Sequence, residues 1–80
     1  MDKEILLNSL DKIHSTPMDI ERIKKNIKCD GDAVEYCKSK IQNKSCNIYK
    51  EGKNRYCEID GIRITVNSSS YTIITAHLIK

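Results

Sequence analysis

The segment Arg55–Asn67, "RYCEIDGIRITVN", decides the fold because it contains a complete β-hairpin signal. Asp60 and Gly61 separate two runs of alternating residues, and Asp-Gly in this setting strongly favours a two-residue turn. Such a turn brings apolar residues together on one face and opposite charges together on the other. A register shifted by one residue would lose both the apolar pairs and the opposite-charge pairs. The predicted cross-strand pairs are Ile59 with Ile62, Glu58 with Arg63, Cys57 with Ile64, and Tyr56 with Thr65.

The C-terminal segment "YTIITAHLIK", residues 71–80, is predicted to form a further strand after the turn "NSSS". Side chains alternate between the two faces of a strand, which leaves two choices for the buried face. One set is wholly apolar, and we expect it to face the core: Ile74, Ala76 and Leu78. The other set is then expected on the open face, although a shorter turn would exchange the faces: Tyr71, Ile73, Thr75 and His77.

The residues before the hairpin divide into one strand and a helical region. "NIYKE", residues 47–51, alternates and is predicted as the first strand. Upstream of it the apolar spacing is helical, and we expect a first helix that ends near His14. A second helix is predicted to begin after Thr16, and a third after Asp30 or Asp32, because these residue types occupy N-cap positions.

These patterns together predict an α+β fold. Two to three N-terminal helices, at about residues 2–43, pack on one face of a four-stranded antiparallel meander sheet at about residues 46–80. The length of 80 residues corresponds to a single domain.

The composition restricts function only weakly. Lys and Arg total 14 against 11 Asp and Glu, a net charge of +3 that suits nucleic-acid binding and ordinary solubility alike. The start of the chain lacks a signal-peptide pattern, and no segment approaches the ~18 apolar residues of a membrane span. We therefore expect a cytoplasmic protein without membrane contact. The four cysteines are widely spaced without a C-x-x-C pair, which predicts free thiols and no metal site, and no cofactor is expected.

Four stretches resemble a small bacterial family of unknown function, the DUF3781 domains: "ERIKKNI", "VEYCKSKI", "GKNRY" and "ITVNSSSYTIITAH". The resemblance covers nearly the whole chain and implies no particular activity. Members of that family tend to carry Trp where this chain has Arg55. The order of helices and strands, with "IITA" in the last strand, also resembles the ribonuclease toxins grouped around barnase, EndoU, colicin nucleases and RelE. That second resemblance implies that an open sheet face could cut RNA.

The open face carries the residue types that RNA cleavage requires. An acid–base reaction on RNA needs a group to activate the ribose 2′-hydroxyl, a cation on the phosphate and a proton donor for the leaving oxygen. His77 suits proton transfer at neutral pH, and Arg63 offers a planar donor fork to a phosphate. The predicted catalytic residues of this metal-independent, toxin-like ribonuclease are His77, Arg63, Tyr56, Glu58 and Thr75.

A second set of residues is predicted to bind RNA or a protein partner: Lys24, Lys25, Lys28, Lys53, Arg55 and Tyr49. The lysines also fit a plain solvated helix surface, and a Glu–Arg pair across strands is often a surface ion pair of little consequence. The alternative function is therefore a non-enzymatic binding module, such as an inhibitor of a nuclease, a phage-defence or anti-defence (anti-CRISPR-like) protein, or an antitoxin. The chain is expected to be a monomer or a homodimer formed through an edge strand.

Overall fold

Helices occupy the N-terminal half of the chain and strands the C-terminal half, as the sequence predicts. The computed structural model describes residues 2–29 and 31–79. Its elements in chain order are α1 (Asp2–Asn8), a short 3-10 helix (Leu10–Lys12), α2 (Pro17–Ile27), α3 (Ala33–Ile41), β1 (Asn47–Glu51), β2 (Asn54–Ile59), β3 (Ile62–Asn67) and β4 (Ile73–Leu78). The four strands form one antiparallel sheet in the order β1-β2-β3-β4, so the α+β meander is confirmed.

The central hairpin has the register that the Asp-Gly turn predicts. Each of the four predicted cross-strand pairs is present between β2 and β3. Asp60 and Gly61 have φ angles of 53° and 75°. Positive φ at both central residues belongs to a type I′ turn, whose twist matches that of the flanking strands. Local turn chemistry therefore sets the alignment of the two middle strands.

The last strand differs from the prediction because it contains a β-bulge. Thr65 pairs with Thr75, yet Val66 pairs with Ile73, so Ile74 is an extra residue that interrupts the alternation. Ile73 is consequently fully buried, whereas the alternation predicted it on the open face. The prediction that Ile74 is a core residue is likewise wrong, because that side chain is only half-buried.

The ends of this strand depart from the prediction in the same way. Tyr71 was expected on the open face but packs against the core cluster, ahead of the bulge. Leu78 was expected in the core but is 50% exposed, because it lies at the last position of β4. Ala76 is fully buried as expected, and beyond the bulge Thr75 and His77 keep their predicted place on the open face.

The two longer helices begin at the predicted caps. The Thr16 Oγ1 atom accepts a hydrogen bond of 3.2 Å from the Asp19 N–H, and Asp32 Oδ1 accepts one of 3.1 Å from the Glu35 N–H. Asp30, the other candidate for the third cap, lies outside the described residues. The N-cap side chains satisfy amide groups that the helix itself leaves unpaired.

The first helix is shorter than predicted. It ends at Asn8, and a 3-10 turn follows a buried Ser9. Asn and Ser compete for backbone hydrogen bonds and so favour helix ends over helix interiors. His14 does not end a helix; it lies in an extended segment whose backbone forms an isolated parallel bridge with Thr72.

One face of the sheet and the inner faces of the helices form the core. The largest fully buried side chains are Leu6, Ile23, Ile41, Ile64, Ile73, Val66, Cys37 and Cys57. All four cysteines are free thiols. Burial, with the nearby Cys29, raises the pKa of the Cys37 thiol to about 12, so this thiol is a neutral packing group at neutral pH. Within residues 2–29 and 31–79, no helix has the length and apolar character that crossing a bilayer requires.

Candidate functional site

The face of the sheet opposite the helices carries two parallel rows of polar and aromatic side chains. Cross-strand partners share a face, so the register assigns each residue to a row. The charged row consists of Glu58 on β2, Arg63 on β3 and His77 on β4. The tyrosine row consists of Tyr49 on β1, Tyr56 on β2, Thr65 on β3 and Thr75 on β4. The five residues predicted as catalytic therefore stand on one face, in two adjacent rows.

The charged row contains a carboxylate held by two donors. Arg63 donates from Nε to Glu58 Oε2 at 3.0 Å, and the Tyr49 hydroxyl donates to the same oxygen at 2.5 Å. The Arg63 side chain is 38% exposed. Among the described residues its two terminal nitrogens have no hydrogen-bond partner. Arg63 can therefore keep its bond to Glu58 and still present a donor edge to an incoming anion.

The hydrogen bonds within this face shift two pKa values in opposite directions. The Tyr49 hydroxyl has the largest influence on the pKa of Glu58 and, together with the Arg63 guanidinium, holds that pKa below its usual value against the opposing effect of burial. The same bond raises the pKa of Tyr49, because ionising the phenol would place two anions together. Glu58 is consequently ionised at neutral pH, and Tyr49 is a neutral donor.

The tyrosine row provides a flat aromatic surface. The rings of Tyr49 and Tyr56 are stacked, with centroids 5.5 Å apart and ring planes inclined by 27°. Both side chains are half-buried, so their outer surfaces reach solvent. An exposed aromatic platform beside a cation is the arrangement on which single-stranded nucleic acids stack their bases.

His77 stands at the far end of the charged row from Glu58. It pairs with Arg63, and its side chain is half-buried. The part of the chain that the structure describes offers its imidazole no hydrogen-bond partner. Neighbouring strands are about 4.8 Å apart, so two strand spacings place Glu58 and His77 roughly 10 Å from each other at the backbone. Arg63 lies between them.

The predicted binding residues do not join this face. Lys24, Lys25 and Lys28 belong to α2 and its C-cap, in the helical layer on the other side of the sheet. Lys53 lies in the turn between β1 and β2. Arg55 is only 7% exposed on the helix side of β2, where it donates from Nη1 to the Ser68 carbonyl. Tyr49 is the exception, since it forms part of the open face.

The open face is flat. No enclosed pocket is present in the part of the structure covered by residues 2–29 and 31–79. A ligand of this face would therefore lie across the strands instead of entering a cleft. Extended polymers and protein surfaces fit such a site better than small molecules, which generally bind in concave pockets.

Comparison with known proteins assigns the family but no activity. The family model described as "Protein of unknown function (DUF3781)" matches residues 7–77. The chain belongs to the DUF3781 family. No curated protein and no solved structure matches this DUF3781 chain. The likeness to ribonuclease toxins therefore rests on the order of elements and on "IITA", and fold by itself does not imply function.

Two contacts in the structure were not predicted from the sequence patterns. Tyr49, which is predicted to bind RNA or a protein partner, also donates from its hydroxyl to Glu58 within the site. The register of the β1–β2 hairpin could have suggested this, because Tyr49 pairs with Tyr56, two residues from Glu58. His14 was expected at a helix end, yet its ring contacts Thr72, the residue just before β4. No local signal predicts that contact, because 58 residues separate the two side chains in the sequence.

Proposed function

We propose that this protein is a small RNA-binding domain that cleaves single-stranded RNA on its open sheet face. The observation that carries the proposal is the charged row: one carboxylate, one guanidinium and one imidazole stand in register on three consecutive strands. These are the three kinds of group that acid–base cleavage of RNA requires. The flat face and the stacked tyrosines support RNA, an extended polymer of bases and phosphates, as the substrate.

In this proposal, Arg63 binds the scissile phosphate at the middle of the row. Glu58, ionised at neutral pH, accepts the proton of the ribose 2′-hydroxyl while the 2′-oxygen forms a bond to phosphorus. His77 in its protonated form donates to the 5′-oxygen as the bond from phosphorus to that oxygen breaks. The products are a 2′,3′-cyclic phosphate and a 5′-hydroxyl. The two proton-transfer groups stand on either side of Arg63, as an in-line displacement requires.

The tyrosine row has a binding role. The Tyr49–Tyr56 stack lies beside the Glu58 end of the charged row, so a base next to the scissile phosphate can stack on it. Base–aromatic stacking is worth ~1–3 kcal/mol per base and depends little on sequence. We therefore expect a preference for unpaired RNA with weak base specificity. Thr75, whose side chain is half-buried, adds a hydroxyl group that can contact the backbone of the RNA, whereas Thr65 is only 7% exposed.

The test is cleavage of a single-stranded oligoribonucleotide by matched variants. Glu58→Gln keeps the size of the side chain and an oxygen acceptor but removes the base, and His77→Ala removes the acid. Each is expected to lower the cleavage rate about 10²–10⁴-fold. Lys50→Ala is the control. Lys50 is an exposed cation on β1, and its cross-strand partner Arg55 lies on the helix side of the sheet, so this substitution leaves the two rows of the open face unchanged. Circular dichroism verifies folding. Full activity in both site variants, or no cleavage by the wild type, would reject the ribonuclease.

A second candidate function is a protein-binding module. The observation that favours it is that Glu58 is fixed by two donors, which gives a rigid, preorganised surface without any bound ligand. Tyr and Arg are the residues that most often dominate protein interfaces. Such a module, for instance an inhibitor or an antitoxin, would not cleave RNA but would co-purify with one partner at fixed stoichiometry. Loss of that partner on Tyr56→Ala, with no RNA cleavage by the wild type, would favour this function.

We propose that either activity takes place in the cytoplasm. Four free thiols in a chain of 80 residues are consistent with a reducing compartment. Mass measurement on protein prepared from cells without reductant would test this, with four unmodified thiols as the expected result. A disulfide in that protein would contradict it.

A further inference from the structure

A second group of reactive side chains lies at the start of β4, away from the charged row. His14 contacts Thr72 and, through it, Ser70 in the turn between β3 and β4. The His14 ring is exposed, and the Thr72 side chain is partly accessible. The group therefore combines an imidazole and two hydroxyls at a solvent-accessible position.

The hydrogen bonds fix the tautomer of His14. Its Nδ1 atom lies 2.8 Å from the Lys12 carbonyl oxygen. A carbonyl only accepts hydrogen bonds, so Nδ1 carries a proton in the neutral ring and Nε2 is left with its lone pair. Nε2 lies 3.1 Å from Thr72 Oγ1, so the threonine hydroxyl donates to it. A hydroxyl that donates to an imidazole oriented by a third group is the arrangement of an activated nucleophile.

The backbone holds the base against the hydroxyl. The His14 N–H donates to the Tyr71 carbonyl at 3.2 Å, and the His14 carbonyl accepts from the Ile73 N–H at 2.7 Å. These two bonds flank Thr72 on both sides. Tyr71 itself has a φ of 59°, which is an outlier for a bulky aromatic residue. Strain of this kind persists only where the surrounding structure enforces it, and it is concentrated at functional sites.

The turn supplies a further hydroxyl to the same chain of hydrogen bonds. Ser70 Oγ lies 2.8 Å from Thr72 Oγ1 and 3.3 Å from Asn67 Oδ1. Because the threonine proton is directed to His14, the one serine proton is shared between these two acceptors. Asn67 Oδ1 accepts from the amide N–H groups of Ser69 and Ser70, each at 2.9 Å, which fixes the position of the turn. Ser70 can thus stabilise negative charge as it develops on the threonine oxygen.

We propose that Thr72 is an acyl-accepting nucleophile and that His14 is its base. The Thr72 oxygen attacks the carbonyl carbon of an activated ester or thioester, and a new ester bond to Oγ1 forms. His14 Nε2 takes the hydroxyl proton and passes it to the departing alkoxide or thiolate as the original ester bond breaks. The turn amides of Ser69 and Ser70 are occupied by Asn67, so one acylation per chain is expected instead of rapid turnover.

The experiment uses p-nitrophenyl acetate as the acyl donor and the full chain as the acceptor. The expected result is one acetyl group per chain that peptide mapping assigns to Thr72 and that alkaline hydroxylamine removes, as it removes oxygen esters but not lysine amides. His14→Gln, which cannot act as a base, is expected to slow this acetylation by about 10²-fold or more. Thr72→Val is expected to abolish the hydroxylamine-sensitive label.

Two results would overturn the proposal. The first is wild-type protein that carries acetyl groups only on lysines or on another hydroxyl, and this result does not depend on whether any variant folds. The second is a folded His14→Gln protein that labels Thr72 at the wild-type rate. Ser69→Ala, which keeps the backbone amide bound by Asn67 and leaves the His14–Thr72 contact in place, is expected to label within a few-fold of the wild type and serves as the matched variant.

Discussion

The two faces of the same sheet show how one set of strands serves both stability and function. On β3, Ile64 is fully buried against the helices, whereas its neighbour Arg63 points to the open face with its side chain 38% exposed. Apart from the buried Arg55, the core face is apolar and packs against the helices. The open face is flat and polar, and its main contacts are hydrogen bonds to a single carboxylate. A change on one face should therefore alter folding, and a change on the other should alter binding or chemistry.

The largest effect on stability is expected from a cavity on the core face. Ile64→Ala should lower the free energy of unfolding by about 2–5 kcal/mol, because a fully buried side chain is lost and the surroundings only partly collapse. A domain of this size has a small free energy of unfolding, so we expect much of the variant to be unfolded at room temperature. Thr75→Ala on the open face of β4 is the matched control, with a change of roughly 0.5 kcal/mol or less. Urea unfolding measures both. Equal losses would contradict the division between the faces.

A smaller effect is expected at the turn between β1 and β2. Gly52 has a φ of 65°, and a Cβ atom added there would meet nothing within 4 Å. Gly52→Ala should therefore cost about 1–2 kcal/mol through backbone conformation alone. Gly31→Ala is the control, because its Cβ atom would also meet nothing within 4 Å and its φ is not positive. That variant should be neutral or slightly stabilising in thermal unfolding. A similar loss of stability in the two variants would show that the positive φ of Gly52 is not the cause.

The smallest effect is expected in the titration of Glu58. Its pKa is lowered in the folded protein, so its contribution to stability is present above the unfolded pKa and is lost as the pH falls through the folded pKa. Tyr49→Phe removes the main donor and should raise the pKa of Glu58 towards its ordinary value, which flattens the acid side of the stability profile. Carbon-detected NMR of the Glu58 carboxyl group measures the pKa directly. An unchanged pKa would show that Arg63 alone holds the carboxylate.

The hairpin and the helix caps could be predicted from sequence because their causes are local. Asp60 and Gly61 adopt positive φ within one turn, and Thr16 and Asp32 bind amides three residues away. The shared face of Glu58 and Arg63 follows from that turn. The alternation also predicts His77 on the open face, and His77 lies there although the bulge at Ile74 interrupts that alternation.

The remaining features depend on contacts between residues far apart in the chain. The bulge in β4 allows Ile73 to enter the core and His14 to pair with the start of the strand. The residues that flank Ile73 and His14 in the sequence give no signal that predicts either of these contacts. Arg55 illustrates the same limit, because a surface role was expected for a cation that the fold buries against the β3–β4 turn. Tertiary packing here overrides the local preference of the residue.

The most direct test of the open face as the functional surface is an NMR titration with single-stranded RNA. A 2′-O-methylated oligonucleotide prevents cleavage by removing the attacking hydroxyl, so binding is observed alone. If the open face binds RNA, the signals of α2 and α3 change little and the largest changes occur in the two rows, at Tyr49, Tyr56, Glu58, Arg63, Thr75 and His77. Changes confined to the lysines of α2, or no change at any concentration of RNA that stays soluble, would contradict RNA binding by the open face.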